Sequence, residues 1–142
     1  MNRRKLLGGG FLGGLAAALG SRAHAATPDK PKVVYHLSDL DKVAFVMGNI
    51  RNHYEGAPGT TIALVVHGPA LKAFQTSQAN PDFTKRFGEA RQSGLQLHAC
   101  GNTMKATHIT LADLLPGFVN AEEGGVVRLA ELQSQGYLYL RP

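Results

Sequence analysis

The sequence predicts an α/β fold: a three-layer α/β/α domain around a mainly parallel sheet of five strands at most. Three observations carry that expectation. Short β-branched and aromatic runs alternate with segments whose apolar residues recur at helical spacing. The run Thr60–His67 (TTIALVVH) is nearly continuously apolar, which suits a central parallel strand covered on both faces. The order β-α-β-α-β-α-(β)-α-β places a crossover between successive strands, as parallel pairing requires.

Residues 27–31 (TPDKP) hold two prolines and read as a linker. Lys32–His36 (KVVYH) is the first strand. Ser38 and Asp39 are candidate N-caps of a helix reaching Tyr54, with Leu40, Val43, Val46, Met47, Ile50 and Tyr54 on its apolar face. The Gly56–Gly59 turn ends it, and Thr60–His67 follows as the second strand. Gly68 and Pro69 open a short helix through Phe74. Pro81 fits the first turn of the next helix, which sends Phe83, Phe87 and Ala90 inward and stops at Gly94. Leu95–Ala99 is the third strand and delivers Cys100 at its carboxyl end. Gly101, Asn102 and Thr103 cap another helical turn, and Thr110–Leu115 forms a further one closed by Pro116 and Gly117. Phe118–Ala121 is a weak edge strand. Val126–Ser134 is helical with Val127, Leu129, Ala130 and Leu132, and Gly136 ends it. Tyr137–Leu140 is the final strand.

The charge is unevenly placed. The chain of 142 residues has 15 Lys and Arg against 10 Asp and Glu. Arg3, Arg4, Lys5 and Arg22 all precede the first acidic residue, Asp29; beyond Arg22 the chain holds 11 basic and 10 acidic residues. The basic balance thus belongs to the N-terminus, and the rest gives no electrostatic case for nucleic acid. Residues 1–25 read as a cleaved export signal, and residues 26–142 as one domain. A basic start precedes the apolar stretch Leu6–Leu19, and Ala23-His24-Ala25 supplies the small residues of a cleavage site. Paired arginines, a Gly-rich and mildly apolar core and Arg22 near the cut point to twin-arginine routing; a Sec-type signal or an uncleaved amphipathic anchor is the competing reading. The apolar stretch is shorter than the roughly 20 residues that cross a bilayer, so no stable membrane insertion follows cleavage. The expected location is the periplasm.

One cysteine excludes an intramolecular disulfide, a Cys-x-x-Cys pair and any multi-Cys metal site. A lone thiol in an oxidising compartment is exposed to disulfide formation and over-oxidation, so Cys100 needs an explanation. Ligands of open parallel sheets bind beyond the carboxyl ends of the strands. Three strands here finish in His36, His67 and Cys100, and alternation puts His98 on the same face as Cys100. Amides of residues 101–103 and the nearby Lys105 are positioned to favour a thiolate, while Gly101 lets the backbone change direction sharply. An inert buried cysteine in a strand-to-helix turn is the plain alternative. A second chemistry is available in His98, Cys100, Met104 and His108, a soft H-x-C-x3-M-x3-H set suited to copper; against it, Met104 packs in a core and His108 stands in solvent. Asp39/Asp41 and Glu122/Glu123 are helix-start and turn charges. No dinucleotide fingerprint, P-loop, G-x-S-x-G elbow or H-E-x-x-H motif occurs.

The segment Leu97–Met104 (LHACGNTM) resembles the cysteine segment of the DsrE/DsrF-like family. Val65–Gly68 (VVHG), Asp113–Gly117 (DLLPG) and Gly125–Leu129 (GVVRL) through Gly136-Tyr137 match that family's pattern in the same order. The resemblance covers about Lys32 to Pro142. It implies a five-stranded, mainly parallel α/β domain that assembles into trimers or hexamers. It also implies sulfur trafficking, in which Cys100 holds sulfur as a persulfide between a donor and an acceptor thiol protein. His67 and His98 are then proton carriers or polar anchors, and no metal or organic cofactor is required. A periplasmic metal-binding or accessory oligomeric module without catalysis is the alternative. The carrier chemistry demands a sulfur that is electron-rich and reachable from solvent.

Overall fold

The computed structural model describes residues 30–142, so the export signal read in residues 1–25 lies outside the described residues. Five strands, β1 (Lys32–Leu37), β2 (Thr61–Val66), β3 (Gln96–Cys100), β4 (Phe118–Ala121) and β5 (Leu138–Leu140), form one sheet in the order β4-β3-β2-β1-β5. Every neighbouring pair is parallel. Four α-helices connect them: α1 (Val43–Gly56), α2 (Pro81–Gln92), α3 (Gly101–Thr107) and α4 (Gly125–Ser134). The predicted α/β fold is therefore the fold observed. Short 3-10 turns at Leu40–Lys42, Gly68–Phe74 and Leu111–Asp113 complete the crossovers.

Local chemistry sets several boundaries. Asn80 caps α2 by accepting the Phe83 amide at 2.8 Å, and Pro81 occupies the first turn where its missing N–H costs nothing. Thr110 and Asp113 close a capping box around the third 3-10 turn. Asp39 departs from its expected role. It precedes a 3-10 turn without capping it, and its carboxylate instead meets Arg141 at 3.4 Å.

The two faces of the sheet are covered differently. The connections from β1 to β2, β2 to β3 and β3 to β4 all pack on one face. There Val46, Met47 and Ile50 of α1, Phe87 and Ala90 of α2, and Met104 of α3 share a core with Leu64, Val66, Leu97 and Ala99. Phe74 stands at its centre, edge-on to Phe83, Phe87 and Phe118 at centroid distances of 5.5, 5.9 and 5.4 Å. Among the described residues the opposite face carries only α4, which runs back across all five strands. Its core is Leu129 and Leu132 against Val34, Ala63 and Val65, with Tyr137 at the side. Val127, expected on the apolar side of this helix, is exposed, as is Val126. The first turn of α4 overhangs the carboxyl edge of the sheet, where there is no strand surface left for these side chains to bury.

That arrangement creates a topological switch point. The chain leaving β3 turns to the α1–α2 face, while the chain leaving its neighbour β4 turns to the α4 face. Between two such divergent exits a parallel sheet leaves a crevice. Cys100, paired in register with Ala121, is the last β3 residue on its lip.

Candidate functional site

Cys100 ends β3 and caps α3 with an extended backbone. The Gly101 backbone lies against β4 so closely that a Cβ there would sit 2.8 Å from the Ala121 carbonyl oxygen. Gly101 thus serves close packing, not the sharp turn expected of it. From the other side the start of α4 reaches the same sulfur. Gly124 has φ of +105°, a conformation side chains rarely tolerate. A Cβ on Gly125 would lie 3.2 Å from His67 Cβ, 3.3 Å from Cys100 Cβ and 3.4 Å from Val65 Cγ1. This glycine pair lets one helix start press directly onto Cys100 and His67.

The sulfur therefore lies between two helix starts. Burial pushes its pKa up, yet the Thr103 hydroxyl and the amides of Thr103, Gly125 and Asn102 together outweigh burial and hold the thiol below its ordinary value. Thr103 is itself fixed, because its hydroxyl oxygen accepts the Gly68 amide at 2.9 Å. The stabilisation comes from neutral donors. Neither His67, His98 nor Lys105 is among its sources, which corrects the expectation that a neighbouring cation helps ionise Cys100. Only 5% of Cys100 is exposed, so the sulfur is less open than the sequence reading required, although its surroundings are polar.

His98 does share the α4 face with Cys100, beneath Arg128 and Glu131. Burial lowers its pKa, Arg128 lowers it further and Glu131 opposes the change. Among the described residues both its ring nitrogens lack a partner, as do Asn120 Oδ1 and Arg128 Nε. His67 contacts Gly125 through Cβ but turns its ring away from Cys100, so that its Nε2 meets Nε2 of His36. His36 Nδ1 in turn bonds Tyr139 Oη at 2.6 Å. Burial and the adjoining His67 and Arg141 drive the His36 pKa down to about 4; burial and Arg141 lower that of His67 as well. Arg141 is anchored by Ser38 Oγ at 2.9 Å and by Asp39.

The copper set proposed from sequence is not brought together. Met104 is buried in the α1–α2 core, on the other side of the sheet from His98, and His108 is exposed at the left-handed end of α3. Spacing along the chain suggested one site; the turn of α3 onto the other face of the sheet divided it. Sequence reasoning passed over Gly124, Gly125, Tyr139 and Arg141. A Gly-Gly pair at a helix start was the one available signal: glycine suits the cap, but a second one at the first helical position gives up helix propensity unless something must approach closely.

Fold and site together define an open parallel α/β domain that holds one low-pKa thiol at its topological switch point. A sequence model of the DsrE/DsrF-like family matches residues 26–142, and the chain belongs to that family, which is associated with sulfur relay. Two solved structures share the fold. The protein of unknown function MTH1491 from Methanobacterium thermoautotrophicum is 24% identical, with a TM-score of 0.70 over 80% of this chain and 100% of its own. The protein of unknown function BT1422 from Bacteroides thetaiotaomicron is 18% identical, with a TM-score of 0.58 over 78% of this chain and 94% of its own. No curated protein matches the chain.

Proposed function

We propose that this protein is an exported sulfur-trafficking protein in which Cys100 carries sulfur as a persulfide. One observation supports the reading above all: donors from two helix starts and the Thr103 hydroxyl converge on the only thiol, at the position where parallel sheets bind ligands. Proton loss from Cys100 to solvent gives the thiolate. The thiolate attacks the outer sulfur of an anionic donor; a Cys100–sulfur bond forms, the donor's sulfur–sulfur bond breaks, and the shortened donor leaves with the electron pair. An acceptor thiolate then attacks the outer sulfur of the persulfide, and Cys100 departs as the thiolate. The donors that lower the thiol pKa favour both the attacking and the departing thiolate. With 5% exposure, Cys100 admits a small inorganic donor more readily than a bulky one.

His98, on the sulfur's own strand, and His67, just past the neighbouring β2, are polar anchors or proton carriers in this reading. The working compartment in this reading is the periplasm, reached by twin-arginine export and cleavage near Ala25. Exposed Val119, Val126 and Val127 beside the site supply apolar surface for association into a trimer or hexamer.

Intact-mass measurement after incubation with polysulfide or thiosulfate tests the carrier. Mass gained in steps of one sulfur atom, removed by reductant and absent from a folded Cys100→Ser chain, is the expected result. Gain that persists in the serine variant rules the scheme out.

A further inference from the structure

The polar side chains on the α4 face form a row across four adjacent strands: Cys100 on β3, His67 just past β2, His36 on β1 and Tyr139 on β5. The sulfur chemistry has no use for the His36 end of this row. There the two imidazole rings are tilted by only 23°, with centroids 4.7 Å apart, and Nε2 of one faces Nε2 of the other. Rings so nearly coplanar, meeting nitrogen to nitrogen, lie edge to edge on one line. Tyr139 Oη accepts a bond well from a protonated His36 Nδ1, and that tautomer leaves the His36 Nε2 lone pair aimed at His67. A single proton on His67 Nε2 fills the gap in the absence of any other cation.

We propose that His36 and His67 form an in-line, two-nitrogen site for a cuprous ion. Imidazole is a copper ligand. A ligating histidine commonly bonds through its second nitrogen to an outer partner, the part Tyr139 plays for His36. Zinc takes four ligands, and among the described residues no group of three or more His, Cys, Asp or Glu converges. Charge favours a monovalent ion as well. Burial and then Arg141 oppose positive charge at both rings, with Asp39 only partly offsetting them, so a single positive charge costs less than two. With metal–nitrogen bonds of about 2 Å, the occupied site holds its Nε2 atoms about 4 Å apart, and the rings separate along their shared line to admit the ion. The displaced His67 proton moves to its free Nδ1, so loading releases no net proton at neutral pH. This site shares His67 with the sulfur reading but makes no use of Cys100, and it does not depend on persulfide formation.

The full chain carrying Cys100→Ser removes the competing thiol and is titrated anaerobically with cuprous ion against a chromophoric cuprous chelator. One equivalent bound, with two nitrogen neighbours by X-ray absorption and zinc held at least 100-fold more weakly, is the expected result. Adding His36→Gln or His67→Gln lowers cuprous affinity at least 100-fold, and Tyr139→Phe lowers it about 10- to 100-fold. No stoichiometric uptake by the Cys100→Ser chain, zinc preferred over copper, or affinity unchanged in the histidine variants overturns the proposal. If the histidine variants do not fold, Tyr139→Phe decides: the stated loss supports the site and an unchanged affinity overturns it. Because the thiol is gone throughout, none of these outcomes depends on whether Cys100 carries sulfur.

Discussion

The two faces of the sheet solve different problems. On the α1–α2 side, strands and helices meet through a continuous apolar core centred on Phe74, with aromatic rings in edge contact and little polar atom content. On the α4 side, a single helix rests on a small aliphatic cluster, and the carboxyl edge is given over to Cys100, His67, His36, His98 and Tyr139. The first arrangement maximises buried apolar surface, the main favourable term in folding. The second gives up part of that surface to hold polar groups in fixed relation. A small domain can keep reactive side chains partly buried on one face when the other face supplies the stability.

Five substitutions sharpen or break that contrast, in falling order of effect. Phe74→Ala opens a cavity in the larger core and lowers stability by about 3–5 kcal/mol. Denaturant unfolding measures the loss, and the rate of Cys100 alkylation in the folded protein stays as it was. If alkylation slows with it, the two faces are not independent. Gly125→Ala forces a Cβ against the Cβ atoms of His67 and Cys100, neither of which can swing aside. It lowers stability by about 1–3 kcal/mol through overpacking and raises the Cys100 pKa, read as slower alkylation at neutral pH and an upward-shifted pH–rate curve. Thr103→Val removes the hydroxyl that acts on the sulfur and leaves the Gly68 amide without its acceptor. The expected loss is about 1–2 kcal/mol, again with the thiol pKa raised; an unchanged alkylation profile would show that the amides alone set it.

The smallest effect concerns pH. His98 is held neutral in the folded state, its pKa lowered first by burial and then by Arg128. Its contribution to stability is complete above the unfolded histidine value of about 6.5 and disappears as pH falls through the lower folded value. His98→Gln should flatten that acid limb of the stability curve by one proton's worth of slope. Cys100 gives the opposite limb. Its depressed folded pKa makes stability rise with pH from that value up to the ordinary thiol value, and Cys100→Ser abolishes the rise.

Most of the fold was legible because it rests on patterns local to the chain. The apolar run Thr60–His67, the helical spacing from Val43 to Ile50 and the Asn80–Pro81 start each constrain their own segment, and the elements appear within a few residues of where the sequence put them. Phe118–Ala121 lies at the sheet edge, as read, with Val119 exposed there. The site was legible only in part. Placing Cys100 at a strand end needed nothing beyond β alternation and the strand-to-helix transition. Its partners needed the return of α4, which carries Gly125 from 25 residues further along the chain. The copper reading failed for the same reason: His98 and Met104 are close in sequence, but the chain passes through the plane of the sheet between them.

The residues by themselves determined the membership in the DsrE/DsrF-like family, the alternating α/β order and the place of the one cysteine, Cys100, at a strand end, because strand and helix periodicity and a single thiol are written in one dimension. Tertiary structure alone decided which donors surround that sulfur, that His36 and His67 face each other, and that one sheet face carries the stability while the other carries the polar groups. Those relations arise where strands distant in sequence lie side by side and a helix crosses back over them, and no local pattern encodes the direction of that crossing.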